Sequence, residues 1–220
     1  MLKNILVTGG SGFIGSYVVD HLIKKKYRVT VIDLLKPKRK DVKFIKSSIL
    51  NKKLIRSALK KNKLIFHLAA VSDVNKVKDI PTETIATNIL GTTLLLDEAR
   101  KANIKRFIFA STYYSYGSAG NLYTTSKTAS ESIIKNYSLI YGLKYTILRY
   151  PTAYGPRNRQ VDAISIFVNR ALKNSNLIIH GNGNQERNYL YVEDLGEGSV
   201  AAINKKLINK TAILISSKDI

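Results

Sequence analysis

Thr8-Gly9-Gly10-Ser11-Gly12-Phe13-Ile14-Gly15 is the stretch that decides the fold. It follows the apolar run Ile5-Leu6-Val7 and opens an amphipathic stretch from Phe13 to Lys26. Read physically, this is a buried strand, a tight glycine turn and a helix whose free N–H groups point back at the turn. Gly9 and Gly12 let the backbone bend and approach a pyrophosphate, and Gly15 lets the helix pack close to the strand. The helix N-terminus adds oriented donors and a partial positive charge for phosphates. A glycine pattern alone is a weak signal. A strand before it, a helix after it and an acid about 20 residues on give it weight.

That acid is Asp33, which closes the run Arg28-Val29-Thr30-Val31-Ile32. A carboxylate there accepts hydrogen bonds from ribose hydroxyls and repels a 2′-phosphate, so the expected cofactor is NAD rather than NADP. Lys36, Lys38 and Arg39 follow closely and could soften that preference, but they read better as a solvated basic loop.

Outward from this turn, apolar β-branched runs alternate with helical stretches. The strands expected are Asn4–Val7, Arg28–Ile32, Val42–Lys46, Lys63–Leu68, Arg106–Ala110 and Lys144–Leu148. The helices expected are Phe13–Lys26, Lys52–Lys61, Thr82–Ala102, Ser126–Tyr141 and Ala163–Asn174. Such alternation implies βαβ crossovers, and right-handed crossovers make an α/β, doubly wound parallel sheet. In such a sheet ligands lie beyond the carboxyl ends of the strands.

A chain of 220 residues can bury a sizeable core. No apolar run reaches the ~20 residues of a membrane span. The N-terminus runs straight into the glycine turn and does not read as a secretory signal. With no cysteine in the chain there is no disulfide or thiolate chemistry, which fits a reducing cytoplasm. The net charge of +21 is compatible with nucleic acid or with an acidic small molecule. The lysines are scattered, as in Lys24-Lys25-Lys26 and Lys60-Lys61, and no nucleic-acid-binding signature accompanies them. A positive field of this kind also draws in anionic small molecules.

Tyr123-Thr124-Thr125-Ser126-Lys127 places a phenol and an ammonium at i and i+4, on one face of a helix. A nearby cation favours the phenolate, so Tyr123 is expected to have a lowered pKa and to act as general acid/base on a hydroxyl being oxidised. Ala110-Ser111-Thr112 ends the fifth strand, where a hydroxyl can hold the reacting oxygen. His67 and His180 read as a core histidine and a loop histidine, and neither has metal-ligand spacing.

With these pieces assembled, the chain resembles the NAD-dependent epimerase/dehydratase family, extended short-chain dehydrogenases acting on nucleotide-sugars. The matching residues are Thr8–Gly15, Asp33, His67-Leu68-Ala69-Ala70, Asn88 with Gly91-Thr92, Ser111-Thr112 before Tyr116-Gly117, and Tyr123 with Lys127. Leu148-Arg149-Tyr150, Tyr154-Gly155-Pro156-Arg157, Gly181-Asn182-Gly183, Arg187 and Tyr191-Val192-Glu193-Asp194 continue the family order. The resemblance implies that Phe13 and Ile14 meet the pyrophosphate through their amides. It implies that Leu68, Ala69 and Ala70 line the cofactor's path, that Asn88 reaches it from the third helix, and that Pro151 contacts the nicotinamide amide through its backbone. Thr112, Tyr123 and Lys127 are the catalytic set by the same resemblance, and Arg187 pairs with the substrate's diphosphate. Read from the residues alone, Asn88 would be a helix polar group bonded to a nearby loop, and Arg187 a partner of Glu186 or Glu193.

The resemblance also implies a Rossmann core over residues 1–150. Residues 151–220 are then a partial substrate-binding region interleaved with the last core elements. Dehydratases and decarboxylases of this type carry acids just after the catalytic Ser/Thr. Tyr113 and Tyr114 stand there instead, so the implied activity is a UDP-glucose 4-epimerase-like inversion through a transient 4-keto sugar. Several departures bear on it. Only ten residues, Tyr113 to Leu122, separate Thr112 from Tyr123, enough to span ~33 Å. Ser48 replaces an adenine-binding aspartate and, with Ile49, can still contact the ring. Thr152 replaces a substrate-binding asparagine. The chain ends at Ser216-Ser217-Lys218-Asp219-Ile220, where the family continues, as a fragment or a short variant would. The competing readings are a dehydratase or reductase of the same family, an NAD-keeping protein that has lost catalysis, and a basic nucleic-acid binder. Family members often pair through the third helix and the Tyr-Lys helix, which makes a homodimer an expectation.

Overall fold

The alternation of apolar side chains along each strand sends neighbours to opposite faces of a sheet, and both faces are covered. The computed structural model describes residues 4–116, 121–158, 162–179 and 181–216. Seven parallel strands form one sheet: β1 (Asn4–Thr8), β2 (Arg28–Asp33), β3 (Lys43–Lys46), β4 (Leu64–His67), β5 (Arg106–Thr112), β6 (Tyr145–Tyr150) and a late strand at Lys210–Ile213. A separate two-stranded ladder pairs β7 (Thr152–Tyr154) with β8 (Tyr189–Tyr191), so the late strand is β9. The order across the main sheet is β3-β2-β1-β4-β5-β6-β9. Ile5 stands opposite Val29 on one side and Leu64 on the other.

Ile5, Val7, Val31, Phe66, Ile108 and Leu148 bury one face under α1 (Phe13–Lys24) and α8 (Val192–Ala201). Leu6, Ile32, Ile65, Phe107, Phe109 and Ile147 bury the other. That second face carries α2 (Lys52–Leu59), α5 (Thr92–Lys101) and α6 (Leu122–Tyr141). The sheet is therefore doubly wound, as expected. Short helices α3 (Val74–Asp79) and α4 (Pro81–Ile85) lead toward α5, and α7 (Ala163–Leu172) lies further on.

Three differences from the sequence expectations position the site. The single helix expected over Thr82–Ala102 starts at Pro81 and is interrupted by a π-helical segment, Ala86–Gly91, before α5. Periodicity does not reveal this, because one inserted residue per turn barely disturbs the apolar pattern. The Tyr-Lys helix starts at Leu122 rather than Ser126, because the Asn121 side chain caps it by accepting from Thr124 N at 2.8 Å. The expected six strands become seven, since β9 adds to β6 through pairs such as Thr146 with Lys210. His180, Gly117 and Ser217–Ile220, singled out in the sequence, lie outside the described residues.

Candidate active site

The chain leaves β3 at one edge, and its next strand, β4, lies on the far side of β1. The crevice between the carboxyl ends of β1 and β4 is thus the switch point of the sheet, where ligands of such folds bind. Gly9, just past β1, has φ +74°, and a Cβ there would stand 2.5 Å from Ala69 N, just past β4. A Cβ on Gly15 would lie 2.0 Å from Gly9 O. The two turns and the first helical turn of α1 are in backbone-to-backbone contact, which only glycine permits at these positions.

A cleft of about 1620 Å³ opens above this point. That exceeds the ~300–1,000 Å³ of ordinary small-ligand sites and has room for a dinucleotide and a second ligand. Its lining includes Gly9, Gly12, Phe13, Ile14 and Gly15 from the first turn, Asp33 after β2, and Ser48 and Ile49 after β3. Leu68, Ala69 and Ala70 after β4, Thr112 at the end of β5, Tyr123 and Lys127 on α6, and Pro151, Thr152 and Arg187 join them, which leaves Asn88 as the predicted residue outside the lining. No side chain caps α1 and no acid sits in its first turn, so its leading N–H groups remain available to an anion facing the cleft.

Asp33 is fixed before any ligand arrives. Its Oδ2 accepts from Ser11 N at 2.9 Å and its Oδ1 from Leu35 N at 3.0 Å. A carboxylate has capacity for about four hydrogen bonds, which leaves acceptor positions for ribose hydroxyls. Arg39 is not a phosphate clamp: it is paired with Asp20 at 2.9 Å and with Asp41. The glycine cradle, the uncapped helix start and the oriented Asp33 together fit an NAD.

The three residues expected to be catalytic converge from two elements. Thr112 is buried at the end of β5, and its Oγ1 accepts from Tyr114 N at 3.3 Å. Lys127 Nζ donates to Ala110 O at 2.8 Å and stands 5.7 Å from the Tyr123 ring centroid and 4.7 Å from that of Phe109. Burial dominates both titrating groups. It pushes the Lys127 ammonium down to about 7, against an opposing pull from Glu131, and pushes the Tyr123 phenol up to about 12. The expected lowering of Tyr123 by Lys127 is therefore overturned in the chain by itself. Lys127 is turned toward Ala110 and the face of Phe109, and loss of water around the phenol outweighs its charge.

Asn88 also departs from expectation. It does not line the cleft; its Nδ2 donates to Val71 O (3.0 Å) and Ser126 Oγ (2.9 Å), and its Oδ1 accepts from Val71 N (2.8 Å). Both amide hydrogens and the carbonyl are engaged within the chain, and Asn88 holds Val71 on the cleft wall. The structure carries out the residue-level reading, a helix side chain tying down a loop. Arg187 donates to Glu186 O at 2.8 Å and lies 5.7 Å from the Tyr114 ring centroid. The Tyr114 hydroxyl in turn bonds Thr152 Oγ1 at 3.0 Å, so three cleft-lining residues are coupled.

His67 is structural. Thr92 Oγ1 donates to Asn88 O at 2.6 Å, so the 2.9 Å contact between Thr92 Oγ1 and His67 Nε2 must be donated by the imidazole. His67 Nδ1 then accepts from Thr8 Oγ1 at 2.7 Å. Burial, aided by Lys127, pushes this imidazole down to about 3. The unfolded chain takes up that proton near pH 6.5 and the folded chain does not, so stability is lost as pH falls below about 6.5. The loss between pH 7 and 5 should approach ~2 kcal/mol in the parent and flatten in His67→Gln, as read from urea midpoints across that range.

The NAD dependent epimerase/dehydratase family model matches residues 5–215. The chain belongs to that family. It is 36% identical to a putative UDP-glucose 4-epimerase of Methanocaldococcus jannaschii, over 92% of this chain and 74% of that protein. It is 34% identical to a UDP-N-acetyl-alpha-D-glucosaminuronate decarboxylase of Bacillus cytotoxicus, over 100% of this chain and 76% of the relative. The UDP-glucose 4-epimerase of Thermotoga maritima, solved with UDP-glucose, superimposes with a TM-score of 0.93 at 33% identity. That match covers 99% of this chain and 78% of the other. Members of this epimerase/dehydratase family are NAD-dependent nucleotide-sugar enzymes, and the fold and cofactor implied by the sequence stand.

What residue reading missed in this family member is mostly second-layer. Glu131 beneath the trio and Val71 on the wall carry no motif of their own, and the motifs that hold Arg149 and Asn88 do not reveal their partners. Glu131 alone left a trace, since Tyr123, Lys127 and Glu131 recur at successive i+4 steps.

Proposed function

We propose that the chain inverts C4 of a UDP-sugar through a transient 4-keto intermediate. The observation carrying this reading is the pair of residues after Thr112. Tyr113 and Tyr114 line the cleft where an eliminating enzyme needs carboxylates. The acids among the described lining residues are Asp33, Asp73 and Glu83, which come from the β2-to-α4 side. Glu131, the acid nearest the trio in sequence, is committed to Arg149 at 2.7 Å.

Bound NAD supplies a hydride acceptor and, when oxidised, a positive charge beside the phenol. Thr112 holds the sugar's C4 oxygen while Tyr123 takes its proton. Lys127, charged, steadies the phenolate. Arg187 grips the diphosphate, and the keto sugar turns about that anchor to present its other face. Tyr123 then returns the proton. Because the phenol alone lies near 12, its deprotonation needs both neighbouring positive charges, and Lys127→Met should move the ascending limb of the kcat/KM pH profile upward by at least one pH unit, ~1 to 3 for a close charge. An unmoved limb would remove Lys127 from this role.

The decarboxylase relative supports a second reading, with a uronic acid as substrate. NMR of UDP-glucose, UDP-galactose, their N-acetylated forms and UDP-glucuronic acid after incubation separates the two. C4 inversion is the expected result; carbon dioxide release or a 6-deoxy-4-keto product would replace it. The exposed Leu139, Ile140 and Tyr141 at the end of α6 support a second copy of the chain as partner. The lack of cysteine supports a cytoplasmic location, and among the described residues no helix is long and apolar enough to cross a membrane.

A further inference from the structure

Glu131 lies one turn beyond Lys127 and two beyond Tyr123 on α6, and it is buried. Its Oε1 accepts from Ser111 Oγ at 2.5 Å and from Arg149 Nε at 2.8 Å, and its Oε2 accepts from Arg149 Nη2 at 2.7 Å. Ser111 immediately precedes Thr112, and it is paired in register with Arg149, two residues before Pro151. One carboxylate therefore ties the helix bearing Tyr123 and Lys127 to the strand bearing Thr112 and to the strand that delivers Pro151.

A purely structural role would be to seat α6 on the sheet. Apolar contacts already do this, through Ile134 against the cluster that holds Phe109 and Ile147. Burying a carboxylate is costly, and replacing such an ion pair by apolar residues is often neutral or stabilising, so seating alone does not require it. What only a charge at this point can do is act on the ammonium one turn away. The titratable groups facing Lys127 are Tyr123 and Glu131 from α6 and His67 from β4. Arg149 and Lys135 stand on the far side of Glu131.

We propose that Glu131 is a positioning residue for the reaction above: it sets Thr112 against Tyr123 and supplies the counter-charge to Lys127. The inference rests on the proposed use of that trio, but its test does not need the sugar. The probe is acetic anhydride, with acetylation of Lys127 followed by mass spectrometry against pH in the full chain. The parent midpoint is expected at about 7, where burial pushes the ammonium. In Glu131→Gln it falls by about one pH unit or more, so that above the midpoint the charged fraction drops about tenfold. Glu131→Asp, which keeps the charge, restores most of the shift. Glu98→Gln is the control: it breaks the remote buried contact of Glu98 with Arg56 and lowers stability without moving the Lys127 midpoint. Should Glu131→Gln fail to fold, the double variant Glu131→Gln/Arg149→Met is compared with Arg149→Met, so that the difference between their midpoints reads the carboxylate alone. An unmoved midpoint in whichever of these variants folds overturns the proposal. Failure of the epimerase reading alone leaves the labelling shift intact, since no nucleotide-sugar enters the measurement.

Discussion

Tyr123→Phe should lower turnover by ~10²–10⁴-fold while NAD stays bound, the contribution of general acid–base catalysis by one positioned group. The ring stays in place on α6 and only the proton-carrying oxygen is removed. Burial holds that phenol at about 12 in the chain itself, so the variant removes a proton carrier whose charge state depends on its neighbours. The Lys127 ammonium already donates to Ala110 O at 2.8 Å and lies over the Phe109 ring, 4.7 Å from its centroid. The measurement is single-turnover C4 inversion followed by NMR, together with the NAD content of the purified variant. Turnover within tenfold of the parent would place the acid/base group elsewhere. Loss of NAD as well would make the residue one that holds the cofactor rather than one that moves a proton.

Gly15→Ala should damage both cofactor binding and stability, although alanine is the better helix former by ~0.5–1 kcal/mol. The new methyl would meet backbone on every side: Gly9 O at 2.0 Å, Gly9 C at 2.9 Å and Gly10 Cα at 3.0 Å. None of these atoms belongs to a flexible side chain, so either α1 must shift away from the sheet or the turn must open. Overpacking of this kind costs ~1–3 kcal/mol, which at this chain length lowers Tm by roughly 5 °C. The Phe13 and Ile14 amides would move with the helix, and the variant should purify without NAD. A variant with the parent's Tm and a full complement of NAD would show that the contact is not what holds the turn.

The turn around Gly9 was legible because its requirement is local: residue types and spacing within 25 positions define strand, turn, helix and acid. Tyr123 and Lys127 were legible as cleft residues for the same reason, and Thr112 from its place at a strand end, whereas Pro151 and Arg187 were read from the resemblance to the family. What escaped depends on contacts between distant segments. Lys210–Ile213 is too short and too polar at its start to announce a strand, and it becomes one because β6 offers an open edge. The electrostatics of Tyr123 was misjudged since the i,i+4 spacing gives proximity but not the orientation of the ammonium or the loss of water around the phenol. Asn88 turned from a ligand contact into a loop tie because its partners, Val71 and Ser126, lie 17 and 38 residues away.

The placement of β9 has a bearing on how the protein is made. Thr146 finds its partner Lys210 only after 64 further residues have been added. At ~5–20 residues per second, the ribosome leaves the β6 edge uncovered for roughly 3–13 s. Bare strand edges recruit other strands, so this interval is the dangerous one in biogenesis, and a nascent polypeptide released before residue 210 would offer that edge to its neighbours. Crowded synthesis should therefore make the protein lean on chaperones late in translation, after most of its sheet has already formed.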